Sequence, residues 1–514
     1  MRRRRTFILS TATLSTIFAI LLIVFFDVHF IDIFNFFKLI IGRFFVLYAI
    51  VVAIFIFLDN DDPYRTVSWI LVLLLLPYIG IVLYILLGKN LRPKRIAIMK
   101  RESDMTLEER AAESQINLVD YFAMSLEDDR PARYAKLVKL LLKNSQSLIS
   151  MHNDVEVLSN GVQTFSRIMK SLNNAEETIN FEYFIIKDDG LGNKIKDILI
   201  RKAHEGVKVR IIYDAVGSWR LGKTFKEELR VAGIELYPFF PVAFPLITRR
   251  LNHRNHRKII VVDGKIGYVG GLNIGDEYLG KDESMGYWRD THLRIEGESV
   301  YSLLRIFIND WKFVSGEILD IDNIIRRSDQ TEECLMQIAA SGPDSDWKNI
   351  HQGYFTLVTT ARDKIWIETP YLVPDESLRM ALKTAALSGV DVRIIIPNKP
   401  DHFFVYWASR DNIEGLLEAG VKIYTYEKGF IHAKILIVDG LAASAGTANL
   451  DNRSFGTNYE VNAFIYGEKV IKRLEEDFVM DLGDSKEVSY EEHLKRGVMD
   501  KTKEALGRLV SPIQ

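Results

Sequence analysis

The chain has 514 residues, of which 48% are hydrophobic and 26% charged, with a formal net charge of -2 and one cysteine, Cys334. That length allows two or more domains. The near-neutral balance gives no sign of a nucleic-acid partner, and a lone cysteine excludes an internal disulfide and a cysteine-built zinc site.

Residues 1–95 differ in composition from the rest and read as membrane-anchoring segments. Arg2 to Arg5 precede an apolar run, and three stretches, about 7–26, 39–58 and 67–87, approach or reach the length of a bilayer span. No small-x-small cleavage site follows the first run cleanly, which argues against a signal peptide. Lys89, Arg92, Lys94, Arg95, Lys100 and Arg101 follow the last run, and the positive-inside rule puts them in the cytoplasm. The acidic break Asp59-Asn60-Asp61-Asp62-Pro63 then lies outside, so the second and third runs form a hairpin. Arg2 to Arg5 favour the inside as well. The first run is therefore read as interfacial or re-entrant, with a third full span and an outer N-terminus as the alternative. Residues 96–150 read as a charged, helical linker.

The remainder is an internal repeat, with residues 151–335 as the first copy, 336–480 as the second and 481–514 as a helical tail. An apolar strand, Ile179 to Ile186, contains Glu182; its counterpart, Ile365 to Val373, contains Glu368. A helix follows each, with apolar faces at Ile195, Ile198, Leu199 and Ala203, and at Leu378, Ala381, Leu382 and Ala385. The runs from Gly206 and Gly389 continue in register, each leading to a second helix and a short strand, Ile234 to Tyr237 or Val421 to Tyr424. Alternating strands and helices predict α/β layering. The first copy carries an extra segment within Pro238 to Asn252, with Phe239, Phe240, Phe244, Leu246 and Ile247 before Arg249 and Arg250. It suits either a membrane interface or a loop packed over the domain.

Each copy then presents one spacing: His256-x-Lys258-x4-Asp263 followed by Gly270-Gly271-x-Asn273, and His432-x-Lys434-x4-Asp439 followed by Gly446-Thr447-x-Asn449. The four residues between Lys and Asp are apolar and predict a buried strand, on which His and Lys, two apart, face the same way. A neutral imidazole serves as nucleophile or general acid/base near neutral pH, and the lysine supplies a charge for an anion. Asn273 and Asn449 can donate amide hydrogen bonds to the same anion. Two copies facing each other supply a nucleophile and a proton donor on opposite sides of one phosphorus. The pattern contains no clustered metal ligands, so neither metal nor cofactor is expected.

This duplicated pattern resembles the phospholipase D superfamily. The context resembles its bacterial cardiolipin synthase branch: Asn255-His256-Arg257-Lys258, Gly270 to Tyr278, Trp288-Arg289-Asp290-Thr291-His292, and Gly446-Thr447-Ala448-Asn449-Leu450-Asp451-Asn452-Arg453-Ser454-Phe455. The resemblance implies two phospholipase D-like α/β/α repeats packed side by side, with the site at their junction. It assigns catalysis to the motif residues His256, Lys258, Asp263, His432, Lys434 and Asp439, of which the two aspartates, at strand ends, are expected to be structural. It makes Asp290 and Glu460 the carboxylates that orient the imidazoles. The implied reaction joins two phosphatidylglycerol molecules into cardiolipin and glycerol through a phosphohistidine, with His256 as nucleophile and His432 as acid/base. A hydrolytic phospholipase D or a phosphatidylserine synthase-like transferase would use the same residues. The expected partners are phosphatidylglycerol and membrane lipids, with no nucleic acid. The expected location is the cell membrane, with several spans and a cytoplasmic catalytic body. Arg453 and Ser454 are read as holding phosphate or the loop, and Tyr371 and His402 as candidate pocket walls.

Overall fold

A computed structural model describes residues 129–510 apart from 242–252, 284, 327–331 and 400, together with 111–116 and a broken set between 50 and 84. The chain divides into a unit of residues 1–89 and a unit of residues 90–512. In the first, α1 (Pro63–Leu75) follows the acidic break, with Trp69 edge-on to Tyr84 at 5.2 Å. Among the described residues no helix is long and apolar enough to cross a membrane. The expected segment at 7–26 and most of 39–58 lie outside the described residues, and α1 covers part of 67–87.

The first half of the large unit runs α2 (Asp129–Ser145), β1 (Ile149–Ser159), α3 (Asn160–Asn173), β2 (Thr178–Tyr183), α4 (Gly190–His204), β3 (Lys208–Asp214), α5 (Lys223–Val231), β4 (Glu235–Phe239), β5 (Arg254–Asn255), β6 (Lys258–Val262), β7 (Ile266–Gly270), β8 (Tyr287–Arg289), β9 (Thr291–Gly297) and α6 (Ser299–Ser315). The second runs β10 (Glu333–Ser341), α7 (Asn349–Thr360), β11 (Lys364–Glu368), β12 (Leu372–Val373), α8 (Glu376–Leu387), β13 (Asp391–Pro397), α9 (Phe403–Glu418), β14 (Lys422–Tyr426), β15 (Gly429–Ile431), β16 (Ile435–Val438), β17 (Ala442–Gly446), β18 (Leu450–Asp451), α10 (Asn452–Gly456), β19 (Asn458–Ile465) and α11 (Glu468–Gly483). The tail adds β20 (Ser485–Glu487), α12 (Tyr490–Leu494) and α13 (Val498–Val510).

The strands pair in the order β20-β14-β13-β11-β16-β17-β19-β10-β1-β9-β7-β6-β2-β3-β4. Read outward from the β10–β1 pair, the two halves repeat one topology: β1, β9, β7, β6, β2, β3 and β4 match β10, β19, β17, β16, β11, β13 and β14. The halves join where β1 meets β10 antiparallel, at a register shift between Ser150 and His152; beyond it β1 pairs with β9.

Period-two alternation in the motif strands explains the layers. Ile259 and Val261 of β6 and Ile435 and Ile437 of β16 enter one shared core with Phe307 and Trp311 of α6 and Phe478 of α11. The intervening Ile260 and Val262 pack on the outer helices of the first half, with Ile195 and Leu199. Leu436 and Val438 do the same in the second half, with Leu378 and Leu382. Burial on both faces accounts for the unbroken apolar runs.

Phe239 and Phe240 belong to the shared core, where Phe239 packs 5.1 Å from Tyr459, because β4 runs two residues further than its apolar pattern indicated. The rest of that extra segment, from residue 242, lies outside the described residues. The tail returns to the large unit: a Cβ on Gly507 of α13 would stand 2.6 Å from Ala408 N of α9, and only glycine allows so close a crossing.

Candidate active site

Both histidines sit at the start of their motif strand, where the chain crosses to the other half. β5 runs parallel to β19, and His256 N donates to Tyr459 O at 2.9 Å. β15 runs parallel to β8, and His432 N donates to Arg289 O at 2.7 Å. These crossings hand each imidazole a carboxylate from the opposite half. His256 Nδ1 lies 2.9 Å from Glu460 Oε2, and His432 Nδ1 lies 2.7 Å from Asp290 Oδ2. Phe184 packs edge-on to His256 at 4.9 Å, and Trp288 lies 5.4 Å from His432.

The electrostatics fix the tautomers. Burial pushes both carboxyls up, but the neighbouring imidazoles and lysines more than reverse it, so Asp290 and Glu460 lie below their ordinary values and are ionised. An ionised carboxylate only accepts, so each Nδ1 donates and each Nε2 keeps its lone pair. Burial lowers His256 to about 4 against the pull of Glu460. Burial and Lys434 lower His432 to about 4 against Asp290. Both rings are therefore neutral near pH 7.

Lys258 Nζ donates to His256 O at 2.7 Å, and Lys434 Nζ donates to His432 O. Each ammonium keeps two further N–H groups for an anion. Burial lowers Lys258 to about 7 and Lys434 to about 8. The pH dependence of kcat/KM follows. It falls steeply above 7 to 8, where the lysines lose the protons that an anionic substrate needs. Initial rates across pH in mixed micelles check this, and a profile flat to strongly alkaline pH contradicts it.

Asp263 and Asp439 stand at the far end of the motif strands, about 17 Å from the lysines at a strand rise of about 3.3 Å per residue. Asp263 accepts from the backbone N–H groups of Glu176, Glu177 and Thr178, and Asp439 from those of Arg362, Asp363 and Lys364. Both have positive φ, 53° and 54°. They brace the turn before β2 and β11 and touch no reacting group.

Asn273 donates one N–H of its amide to Tyr278 OH at 3.1 Å, and its carbonyl accepts from Ile185 N at 3.3 Å. Asn449 Oδ1 is buried with no partner among the described residues. Ser454 Oγ accepts from Asn449 N at 3.2 Å, so it holds the loop. Tyr371 OH bonds Asp401 in a cleft also lined by Lys399, Arg410 and Phe430, and His402 is exposed.

Several contributors were invisible as spacing. Thr447 Oγ1 donates to Glu460 Oε2 at 2.6 Å. Its counterpart Gly271 has no room for a side chain, since a Cβ there would lie 2.1 Å from Asp290 Oδ1. The longer Glu with a threonine and the shorter Asp with a glycine are two solutions to one placement. Arg257, between His256 and Lys258, pairs with Asp310 and donates through Nε to Glu460 O at 3.3 Å. Arg289 Nε donates to Asp481 Oδ2 at 2.5 Å. Beside these arginines, burial and a neighbouring aspartate, Asp310 or Asp481, hold Glu182 and Glu368 well above the usual carboxylate range. A glutamate inside each apolar strand was the available sign of these clusters.

The family described as "Cardiolipin synthase, PLD-like domain" matches residues 168–311 and 354–482, and "Phospholipase D-nuclease N-terminal" matches residues 44–89. Cardiolipin synthase 2 of Bacillus anthracis is 45% identical over 475 residues, covering 91% of this chain and 90% of that protein. The cardiolipin synthase of Geobacillus kaustophilus is 44% identical over 478 residues, covering 92% and 94%. The phosphatidylserine synthase structure from Haemophilus influenzae superposes with a TM-score of 0.58 at 16% identity, covering 74% of this chain and 99% of that one, and shares its fold. With two crossed His–Lys–carboxylate sets on this fold and relatives at these identities, the chain belongs to the cardiolipin synthase family of phospholipase D-like proteins.

Proposed function

We propose that the protein is a membrane-bound cardiolipin synthase that transfers a phosphatidyl group from one phosphatidylglycerol to a hydroxyl of another. The observation that carries the mechanism is the crossed pairing, which leaves each Nε2 unprotonated beside a lysine. His256 Nε2 attacks phosphorus, and the bond to the glycerol oxygen breaks. The diester's negative charge, entering between Lys258 and Lys434, raises the pKa of His432, so its Nε2 takes up a proton from solvent as the lipid binds and then gives that proton to the departing oxygen. The lysines, with Asn273 and Asn449, stabilise the charge on phosphorus. The phosphatidyl group now rests on His256 as a phosphohistidine. His432 takes the proton from the acceptor hydroxyl, the new P–O bond forms, and His256 is released.

Exposed apolar residues support contact with lipid. In the N-terminal unit Phe57, Val67, Leu74, Leu75 and Ile79 are exposed. In the large unit Trp219 and the Phe403–Phe404 pair are exposed where the chain leaves β3 and β13 for the following helices, at the strand ends that bear the site. We read residues 1–95 as the anchor, with a hairpin of spans and a cytoplasmic catalytic body.

Product analysis tests the proposal. Protein in vesicles is given labelled phosphatidylglycerol, and lipids and headgroup are resolved. Cardiolipin with equimolar glycerol is expected. Phosphatidic acid alone would make the protein a hydrolase, and turnover only with another alcohol would replace the named acceptor.

A further inference from the structure

Arg289 belongs to the first half, yet its guanidinium is buried in the second. β8 lies beside β15 with Arg289 opposite Ile431. From there Nε reaches Asp481 on α11 at 2.5 Å, and one Nη lies 3.8 Å from Glu368 Oε2 on β11. The other Nη turns back, donating to Asp290 O at 2.6 Å and Thr291 Oγ1 at 2.8 Å. The backbone O of the same residue accepts from His432 N at 2.7 Å. One planar group thus ties the backbone of Asp290 to two acids of the half that carries His432. The opposite junction is built otherwise: Tyr459 stands where Arg289 would be, and Arg257 clamps the histidine side instead.

We propose that Arg289 is a positioning residue for His432, holding the Asp290–His432 pair at the angle from which the imidazole passes its proton to the departing headgroup. The inference rests on the acid/base role given to His432 above. Arg289 is 3% exposed and serves through Asp290 rather than by touching substrate. A lysine would still neutralise Glu368 and Asp481. As a point charge it cannot also bridge to Asp290 O and Thr291 Oγ1, and small misplacements of a proton donor are costly.

The test uses full-length R289K, R289Q and wild type in vesicles with two substrates. Phosphatidylglycerol loses an alkoxide that needs a proton, whereas phosphatidyl-p-nitrophenol loses a phenolate that does not. For R289K, glycerol release falls about tenfold or more, while the p-nitrophenolate burst that reports phosphohistidine formation changes by less than about threefold. R289K unfolds near the wild-type temperature and R289Q, with its buried acids uncompensated, at a lower one. Equal losses on both substrates would overturn the proposal, as would wild-type glycerol release by R289K. If wild type makes no cardiolipin, the acceptor reading falls. Headgroup release to water would then still decide the role of Arg289.

Discussion

His256→Ala is expected to lower turnover by about 10⁴-fold or more, and no phosphatidyl group should remain on the protein. His432→Ala should be as slow in turnover yet behave differently when trapped. It keeps the nucleophile and loses the group that activates the acceptor, so labelled lipid with a good leaving group should accumulate on the chain. Acid quenching and gel analysis after a short incubation measure this. Label on His256→Ala instead of His432→Ala would exchange the two roles. The assignment matters because the halves are near-equivalent: both rings are buried, both are lowered to about 4, and both bond a carboxylate through Nδ1.

The second large effect comes from a residue with no side chain. Gly271→Ala should lower turnover about 10²- to 10³-fold, within the range that general acid–base catalysis supplies. A methyl group there would occupy the position of Asp290 Oδ1, at 2.1 Å, so the carboxylate must swing off His432. The fold has no comparable reason to fail, so thermal unfolding should move far less than activity does. The second half suggests the compensating change. Gly271→Thr combined with Asp290→Glu imports the Thr447–Glu460 arrangement and should recover part of the lost rate. A Gly271→Ala protein with wild-type kinetics would show that the carboxylate is not held as described.

The motif residues, the repeat and the α/β layering were legible in the sequence for one reason. Each is local, a spacing of one strand and its neighbours. His256 and Lys258 announce themselves because two-residue separation on a buried strand puts them on one side. Asp263 and Asp439 could be assigned to structure because they end the strand. The crossing was not legible. Nothing within Trp288-Arg289-Asp290 says that the carboxylate serves His432 rather than His256, since that depends on β8 pairing with β15 across the halves. The acid clusters were half legible. Glu182 and Glu368 stood out in apolar strands, but Asp310 and Asp481 lie on helices more than a hundred residues away in sequence. Phe239 and Phe240 read as loop aromatics because β4 has no periodic signal beyond Tyr237.

The crossed pairing also sets when the protein becomes reactive during synthesis. A growing chain that has folded its first half already holds His256, Lys258, Asn273 and Asp290, yet His256 lacks a carboxylate and Asp290 has no imidazole to serve. Glu460 is residue 460 of 514, and β19, which carries it, pairs with β10 and β17 as well as with β5. The second half must therefore be made and threaded against the first before either imidazole is poised. A ribosome stalled in the middle of the message therefore releases a fragment that holds His256 without Glu460 and Asp290 without His432.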